Sequence, residues 1–146
     1  MIQRKQTLYL LIGFVLTVIC MCCQVGSIVY DLSSIDLYNL WVVDGEGHHS
    51  FSSWPLFAVL LLSSLTALIT IFLYTKRKLQ AQMCLLHMLL LVLWYVLLAV
   101  MPQRLGGEIV FNWPAVLPAL AIILSFMARK GVLADEKLVR SLDRIR

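Results

Sequence analysis

Charged side chains are scarce in this sequence, where 14% of the 146 residues are Asp, Glu, Lys or Arg and 61% are apolar. Soluble domains carry roughly a quarter charged residues, so the composition predicts one small integral membrane domain. The charges avoid four long apolar segments, which hold only Arg129, at the end of the last one, and which lie at about 7–26, 54–75, 83–101 and 113–129. Each segment has close to the roughly 20 residues that a helix needs to cross the hydrocarbon core.

The lack of charge inside these segments also bears on catalysis and transport. Membrane enzymes and proton-coupled transporters usually hold an ionisable group within the bilayer. His87 is the one candidate, about one turn from the cytoplasmic end of the third segment, and a single histidine there more often packs than transfers protons. The sequence also has no glycine-rich phosphate loop, nucleophile elbow or paired carboxylates. We therefore expect a non-enzymatic protein with no catalytic residue and no cofactor.

Cysteines are few, and all four lie in apolar runs, at Cys20, Cys22, Cys23 and Cys84. The cysteines at 20, 22 and 23 lie in an apolar run and have no second pair in an outer loop, unlike those of a quinone-linked disulfide oxidoreductase, so small apolar thiols are the favoured interpretation. A thiol-redox enzyme is kept as a third hypothesis. The pair His48-His49 follows Asp44 and Glu46, but adjacent histidines in a flexible loop do not define a tetrahedral zinc site. No metal site is predicted.

The few charges are distributed unevenly along the chain. Eleven Lys and Arg against three acids lie in residues 1–6, 76–82 and 129–146, whereas five acids against one cation lie in 27–53 and 102–112. Because Lys and Arg near span ends stay in the cytoplasm, we expect both termini and the 76–82 turn there. This asymmetry explains the net positive charge through the bilayer alone, so no nucleic-acid partner is expected. The run 7–25 is too long for a signal-peptide core and is expected to stay as the first span.

These signals predict an all-α membrane fold, namely a four-transmembrane-helix bundle with a small outer β-hairpin-like loop and a cytoplasmic C-terminal amphipathic helix. Trp-Pro pairs at 54–55 and 113–114 mark helix starts at the outer interface. In the outer loop 27–53, alternating side chains predict a strand at about 35–43, paired with 27–31. Residues 109–111 of the second outer loop, 102–112, can add one more strand.

Two spans carry residues that predict how the helices pack or bend. Ser63, Thr66, Ala67 and Thr70 place small side chains four residues apart on the second span, which favours close helix association in lipid. Pro118 removes a helical hydrogen bond and predicts a bend in the fourth span. Paired glycines and Pro102 predict that the third helix stops near residue 101.

The cytoplasmic tail, 130–146, predicts a short amphipathic helix after Gly131. Acids lie in its first turn and cations toward its end, and apolar residues recur on one face. Such a helix can lie on lipid or dock into a partner, and the sequence leaves both open. The predicted partner-binding residues are Leu138, Val139, Arg140, Leu142, Arg144 and Ile145.

Three stretches together resemble a known family. They are Met1-Ile2-Gln3-Arg4 leading into a span, Lys76-Arg77-Lys78-Leu79-Gln80 between spans, and the closing segment from Asp135 to Arg146. The chain is similar to an uncharacterised family of short four-span bacterial inner-membrane proteins, described as a domain of unknown function. The resemblance covers the whole chain and implies architecture and location, with no activity or functional residue attached.

Two functions follow as hypotheses from these features. The first is a non-enzymatic accessory or scaffolding subunit of a bacterial inner-membrane assembly, in contact with lipid and with another membrane protein or complex. The alternative is a small transporter or lipid-handling protein, which predicts a continuous apolar cavity between spans, lined by Ser63, Thr66, Thr70 and His87.

Overall fold

The computed structural model describes residues 3–30 and 33–143 of the chain. Its four long helices are α1 Gln3–Cys22, α2 Trp54–Phe72, α3 Arg77–Leu105 and α4 Leu117–Asp143. Its strands are β1 Gln24–Val29, β2 Ser34–Tyr38, β3 Val42–Val43, β4 His49–Ser50 and β5 Glu108–Phe111. Together with the short 3-10 turns beside them, all four helices are long and apolar enough to cross a membrane. The prediction of four such helices with a small β element is confirmed.

Each helix turns one row of buried side chains toward the middle of the bundle. The rows advance in alternating steps of three and four residues, which is the spacing of left-handed four-helix bundles. We call them the inward rows. They are Gln6, Leu10, Gly13, Thr17 and Cys20 of α1, Leu56, Leu60, Ser63, Ala67 and Thr70 of α2, Gln80, Cys84, His87, Leu91 and Trp94 of α3, and Pro118, Ala121, Ser125, Ala128 and Val132 of α4.

Contacts between the helices align the inward rows into five layers. In the first, Gln80 Nε2 donates a hydrogen bond to the Thr70 carbonyl over 3.3 Å. In the second, Leu10, Cys84 and Ala128 form one buried apolar cluster. Because neighbouring helices are antiparallel, the next residues of the inward rows, Ser63, His87 and Ser125, fall in the third layer. The hydrogen bond between His87 and Ser125 agrees with this register. The five layers extend over about 21 Å from Gln80 to Trp94 at about 1.5 Å per residue.

The two ends of the bundle differ in what they carry. We call the end with the start of α1, the α2–α3 turn and the end of α4 the basic end, and the opposite one the sheet end. Exposed aromatic side chains surround the helices at both ends: Phe51, Trp54, Phe111 and Trp113 at the sheet end, and Phe72 and Tyr74 at the basic end. Aromatic side chains favour the membrane–water interface, so these two groups fit the borders of a bilayer.

The sheet has five antiparallel strands in the order β4-β3-β2-β1-β5. The predicted single strand at 35–43 is wrong in extent, because the chain turns after Tyr38, whose amide donates to the Trp41 carbonyl over 2.9 Å. The predicted extra strand at 109–111 is β5, which pairs with β1. The predicted first span, 7–26, is too long, since α1 ends at Cys22 and β1 begins at Gln24.

The sheet contacts the part of α3 that lies toward the sheet end. Asn39, just after β2, reaches Trp94 through a 3.0 Å hydrogen bond, whereas Gly107 lies against Ile28 and Val29 near the end of β1. Buried side chains of the sheet such as Leu37 and Val42 belong to one hydrophobic cluster with Trp94, Leu98 and Met101 of α3.

Asn39 connects this sheet to the bundle. Its fully buried side chain donates from Nδ2 to the Cys20 carbonyl over 2.7 Å and accepts the indole N–H of Trp94 through Oδ1. Its backbone carbonyl accepts the amide of Phe57, over 3.1 Å. One residue of the loop between α1 and α2 thus connects the end of α1, the start of α2 and the middle of α3.

The bounds of α3 and α4 correct three expectations from the sequence. Helix α3 starts at Arg77 and continues through Pro102 to Leu105, where Gly106 ends it with a left-handed φ of 79°. Pro118 causes no bend within α4, because it lies in the first turn of that helix. Gly131 does not separate a tail helix either, since α4 runs without interruption from Leu117 to Asp143.

Tyr95 explains where α4 begins. Its hydroxyl donates to the Ala115 carbonyl over 2.6 Å and accepts the Ala119 amide over 3.0 Å. The hydroxyl thus stands between a carbonyl and an amide that would bond directly in a continuous α-helix. Insertion of a side chain into this ladder is a known cause of helix breaks, and here it separates the 3-10 turn Trp113–Val116 from α4.

Candidate functional site

A polar contact between α1 and α4 stabilises the basic end. Gln6 is buried and donates from Nε2 to Asp135 Oδ2 over 2.7 Å. Gly131 permits this approach, because a Cβ there would lie 3.1 Å from the Gln6 side chain. Arg77 of α3 donates to the backbone carbonyl of Asp135 over 3.4 Å. Asp135 of α4 therefore contacts α1 and α3 at the level of the α2–α3 turn.

Helix α4 continues past this level. We call residues 136–143 the α4 extension, which adds about 12 Å at 1.5 Å per residue. Its side chains Leu138 and Val139 are 58% and 42% exposed. The expectation of a separate tail helix is corrected, since this segment shares the axis of α4. Of the predicted partner-binding residues, Arg140 and Leu142 lie on the extension by their backbone, whereas Arg144 and Ile145 lie outside the described residues.

A cleft separates the α4 extension from the α2–α3 turn. It measures about 340 Å³ and is lined by Thr75, Arg77, Lys78, Glu136 and Val139. Lys76 and Lys78 form no salt bridge with any acid of the described ranges. The cleft thus combines an apolar wall from Val139 with an excess of positive charge, which suits a partner surface that is partly apolar and partly acidic.

A second candidate site is the third layer, which we call the polar layer and which consists of Gly13, Ser63, His87 and Ser125. His87 Nδ1 and Ser125 Oγ are joined by a 2.8 Å hydrogen bond. His87 Nε2 and Ser63 Oγ are buried and have no hydrogen-bond partner among the residues that the structure describes. The sequence places His87 about one turn inside the third apolar segment, 83–101, but α3 starts at Arg77, so His87 lies about 15 Å along the helix.

The hydroxyls predicted to line a transport cavity are mostly used within their own helix. Thr66 Oγ1 donates to the carbonyls of Leu62 and Ser63 over 2.6 and 2.9 Å. Thr70 Oγ1 donates to the Thr66 carbonyl over 2.6 Å. Ser63, Thr66, Ala67 and Thr70 are all buried, which agrees with the close packing predicted for this face of α2.

The thiols form no disulfide, and the histidines of the described loop belong to no metal-binding cluster. All four cysteines are free, with Cys20 and Cys84 buried and Cys22 exposed. His48 Nδ1 lies 3.7 Å from Glu46 Oε2, with both side chains largely in solvent. Over residues 3–30 and 33–143, no three His, Cys, Asp or Glu side chains are placed to hold a metal ion.

The fold defines a class of small proteins in which four apolar helices of membrane-spanning length carry one sheet at one end. Within that class, the chain belongs to the family described as Domain of unknown function (DUF4293), which matches residues 2–145. The resemblance stated from the sequence is thereby confirmed. No curated protein matches the chain.

Proposed function

We propose that this protein is a non-enzymatic accessory or scaffolding subunit of a bacterial inner-membrane assembly, and that it binds another membrane protein through the α4 extension. The observation that carries the proposal is the exposure of Leu138 and Val139 beyond the end of the bundle. Full burial of a leucine or valine contributes about 1.5–3 kcal/mol. With the α4 extension in the cytoplasm, a partner that covered both side chains would remove this apolar surface from water and gain that free energy.

The distribution of charge supports a cytoplasmic location for this surface. The basic end carries Lys76, Arg77 and Lys78 between α2 and α3, and Lys130 just after the last apolar segment, 113–129. Lys and Arg near span ends are retained on the cytoplasmic side. In this orientation both termini are cytoplasmic and the sheet faces the periplasm. The α4 extension then projects into the cytoplasm, beside a cleft that favours an acidic segment of the partner.

The test is purification of the full chain in mild detergent with quantitative identification of co-eluting proteins. The double variant Leu138→Gln/Val139→Gln removes the apolar contact without changing charge. Lys137→Gln is the matched control, since Lys137 is an exposed neighbour on the same helix. We expect one membrane protein to co-purify with wild type and the control but not with the double variant. A solitary protein, or equal recovery with all three chains, would contradict the proposal.

A further inference from the structure

The polar layer contains two buried polar atoms that the protein itself leaves unsatisfied. His87 and Ser63 are 1% and 0% exposed, yet neither His87 Nε2 nor Ser63 Oγ has a hydrogen-bond partner. Buried polar groups are almost always hydrogen-bonded to protein or to ordered water. Both atoms lie in the same layer of the bundle, on helices α3 and α2, which pack against each other.

We propose that this layer binds a water molecule that bridges His87 Nε2 and Ser63 Oγ. The bridge completes a hydrogen-bonded chain from Ser63 of α2, through the water and His87 of α3, to Ser125 of α4. Buried waters typically occupy polar sites with two to four partners, and this pair supplies two. The inference is independent of the proposed partner at the basic end.

The polar layer carries only one large side chain, that of His87. Gly13 contributes none, and a Cβ built there would meet nothing closer than the Ala121 carbonyl oxygen at 3.8 Å. The layers on both sides are mainly apolar. Leu10, Cys84 and Ala128 lie toward the basic end. Leu60, Leu91 and Ala121 lie toward the sheet end together with Thr17, whose hydroxyl donates to the Phe14 carbonyl over 2.7 Å. The site is therefore closed above and below, which favours one water over a larger solute.

The chemistry of the two atoms also selects water. If the Ser125 hydroxyl donates to Nδ1, then Nε2 carries a proton and needs an acceptor; if Ser125 accepts from Nδ1, then Nε2 needs a donor. A water molecule can do either, and its other hydrogen or lone pair serves the Ser63 hydroxyl. One histidine and two hydroxyls are too few good ligands for a zinc site.

The experiment measures magnetisation transfer from water to His87 by NMR of the full chain in bilayers. The background His48→Gln/His49→Gln leaves His87 as the single histidine, since the sequence has three. Ser63→Val fills the site, and Ser63→Ala removes only the hydroxyl. Ser64→Ala is the matched control, because Ser64 Oγ already donates to the Leu61 carbonyl over 2.8 Å.

We expect rapid transfer from water to the His87 ring in the background and in the Ser64→Ala control. In both Ser63 variants the transfer should fall about fivefold or more, the factor expected when a hydrogen bond that holds the water is lost. An unchanged chemical shift of His87 Nδ1, the nitrogen that is hydrogen-bonded to Ser125, verifies that the Ser63→Ala bundle stays folded. Absent transfer in the background, or equal transfer in Ser63→Ala and Ser64→Ala, would overturn the proposal.

Discussion

Asn39 offers a direct test of how the loop between α1 and α2 stabilises the bundle. Asn39→Ala removes the acceptor of the Trp94 indole N–H and the donor to the Cys20 carbonyl, bonds of 3.0 and 2.7 Å. A buried polar group left without its partner costs about 1–3 kcal/mol. Since Asn39, Trp94 and the Cys20 side chain are fully buried, we expect a loss of about 2–5 kcal/mol in the free energy of unfolding.

The assay is equilibrium unfolding in mixed detergent micelles, followed by tryptophan fluorescence. A double-mutant cycle with Trp94→Phe separates the indole bond from the rest, because Phe has no N–H to leave unpaired. We expect Asn39→Ala to cost less in the Trp94→Phe background, by about 1–2 kcal/mol. A destabilisation below about 0.5 kcal/mol, the range of ordinary surface substitutions, would refute the role assigned to Asn39.

Three further substitutions test other contacts with the same unfolding assay. Tyr95→Phe removes the hydroxyl between Ala115 and Ala119 and should cost about 1–3 kcal/mol; an unchanged stability would mean that α4 starts at this point for another reason. Gly26→Ala places a methyl group 2.6 Å from the Val110 carbonyl, so we expect about 1–3 kcal/mol from the forced shift, and a neutral effect would argue against the β1–β5 pairing. Gln6→Ala loses the bond to Asp135 and should cost about 1–2 kcal/mol, with full stability as the contrary result.

The hydropathy of the sequence predicts the four helices but not where they end. Apolar runs mark the part of a helix that suits lipid, and a helix continues beyond that part when long charged side chains can reach water. Helix α3 therefore begins at Arg77, six residues before the predicted 83, and this shift moves His87 into the middle of the bundle. Gly131 is typical of a helix end, yet α4 continues through it. The missing side chain at Gly131 leaves space for Gln6 to pack there.

The sheet shows why long-range pairing is harder to predict. Gln24, Val25 and Gly26 are uncharged, so the local hydropathy pattern predicts that they belong to the first span. Their strand is specified by pairing with β5, some 85 residues away in sequence, and register of this kind depends on the partner strand. Asn39 was placed in a predicted strand for the same reason, because no local feature indicates that its amide reaches Trp94 and Cys20.

The orientation of the α4 extension is the claim on which the proposed function depends, and a dual reporter fused after Arg146 measures it directly. A fluorescent protein that folds only in the cytoplasm and a phosphatase active only in the periplasm give opposite signals. The account predicts bright fluorescence and no phosphatase activity, with phosphatase activity instead from an insertion at Gly45 in the β3–β4 turn. An active phosphatase after Arg146 would place Leu138 and Val139 on the periplasmic side and contradict the account.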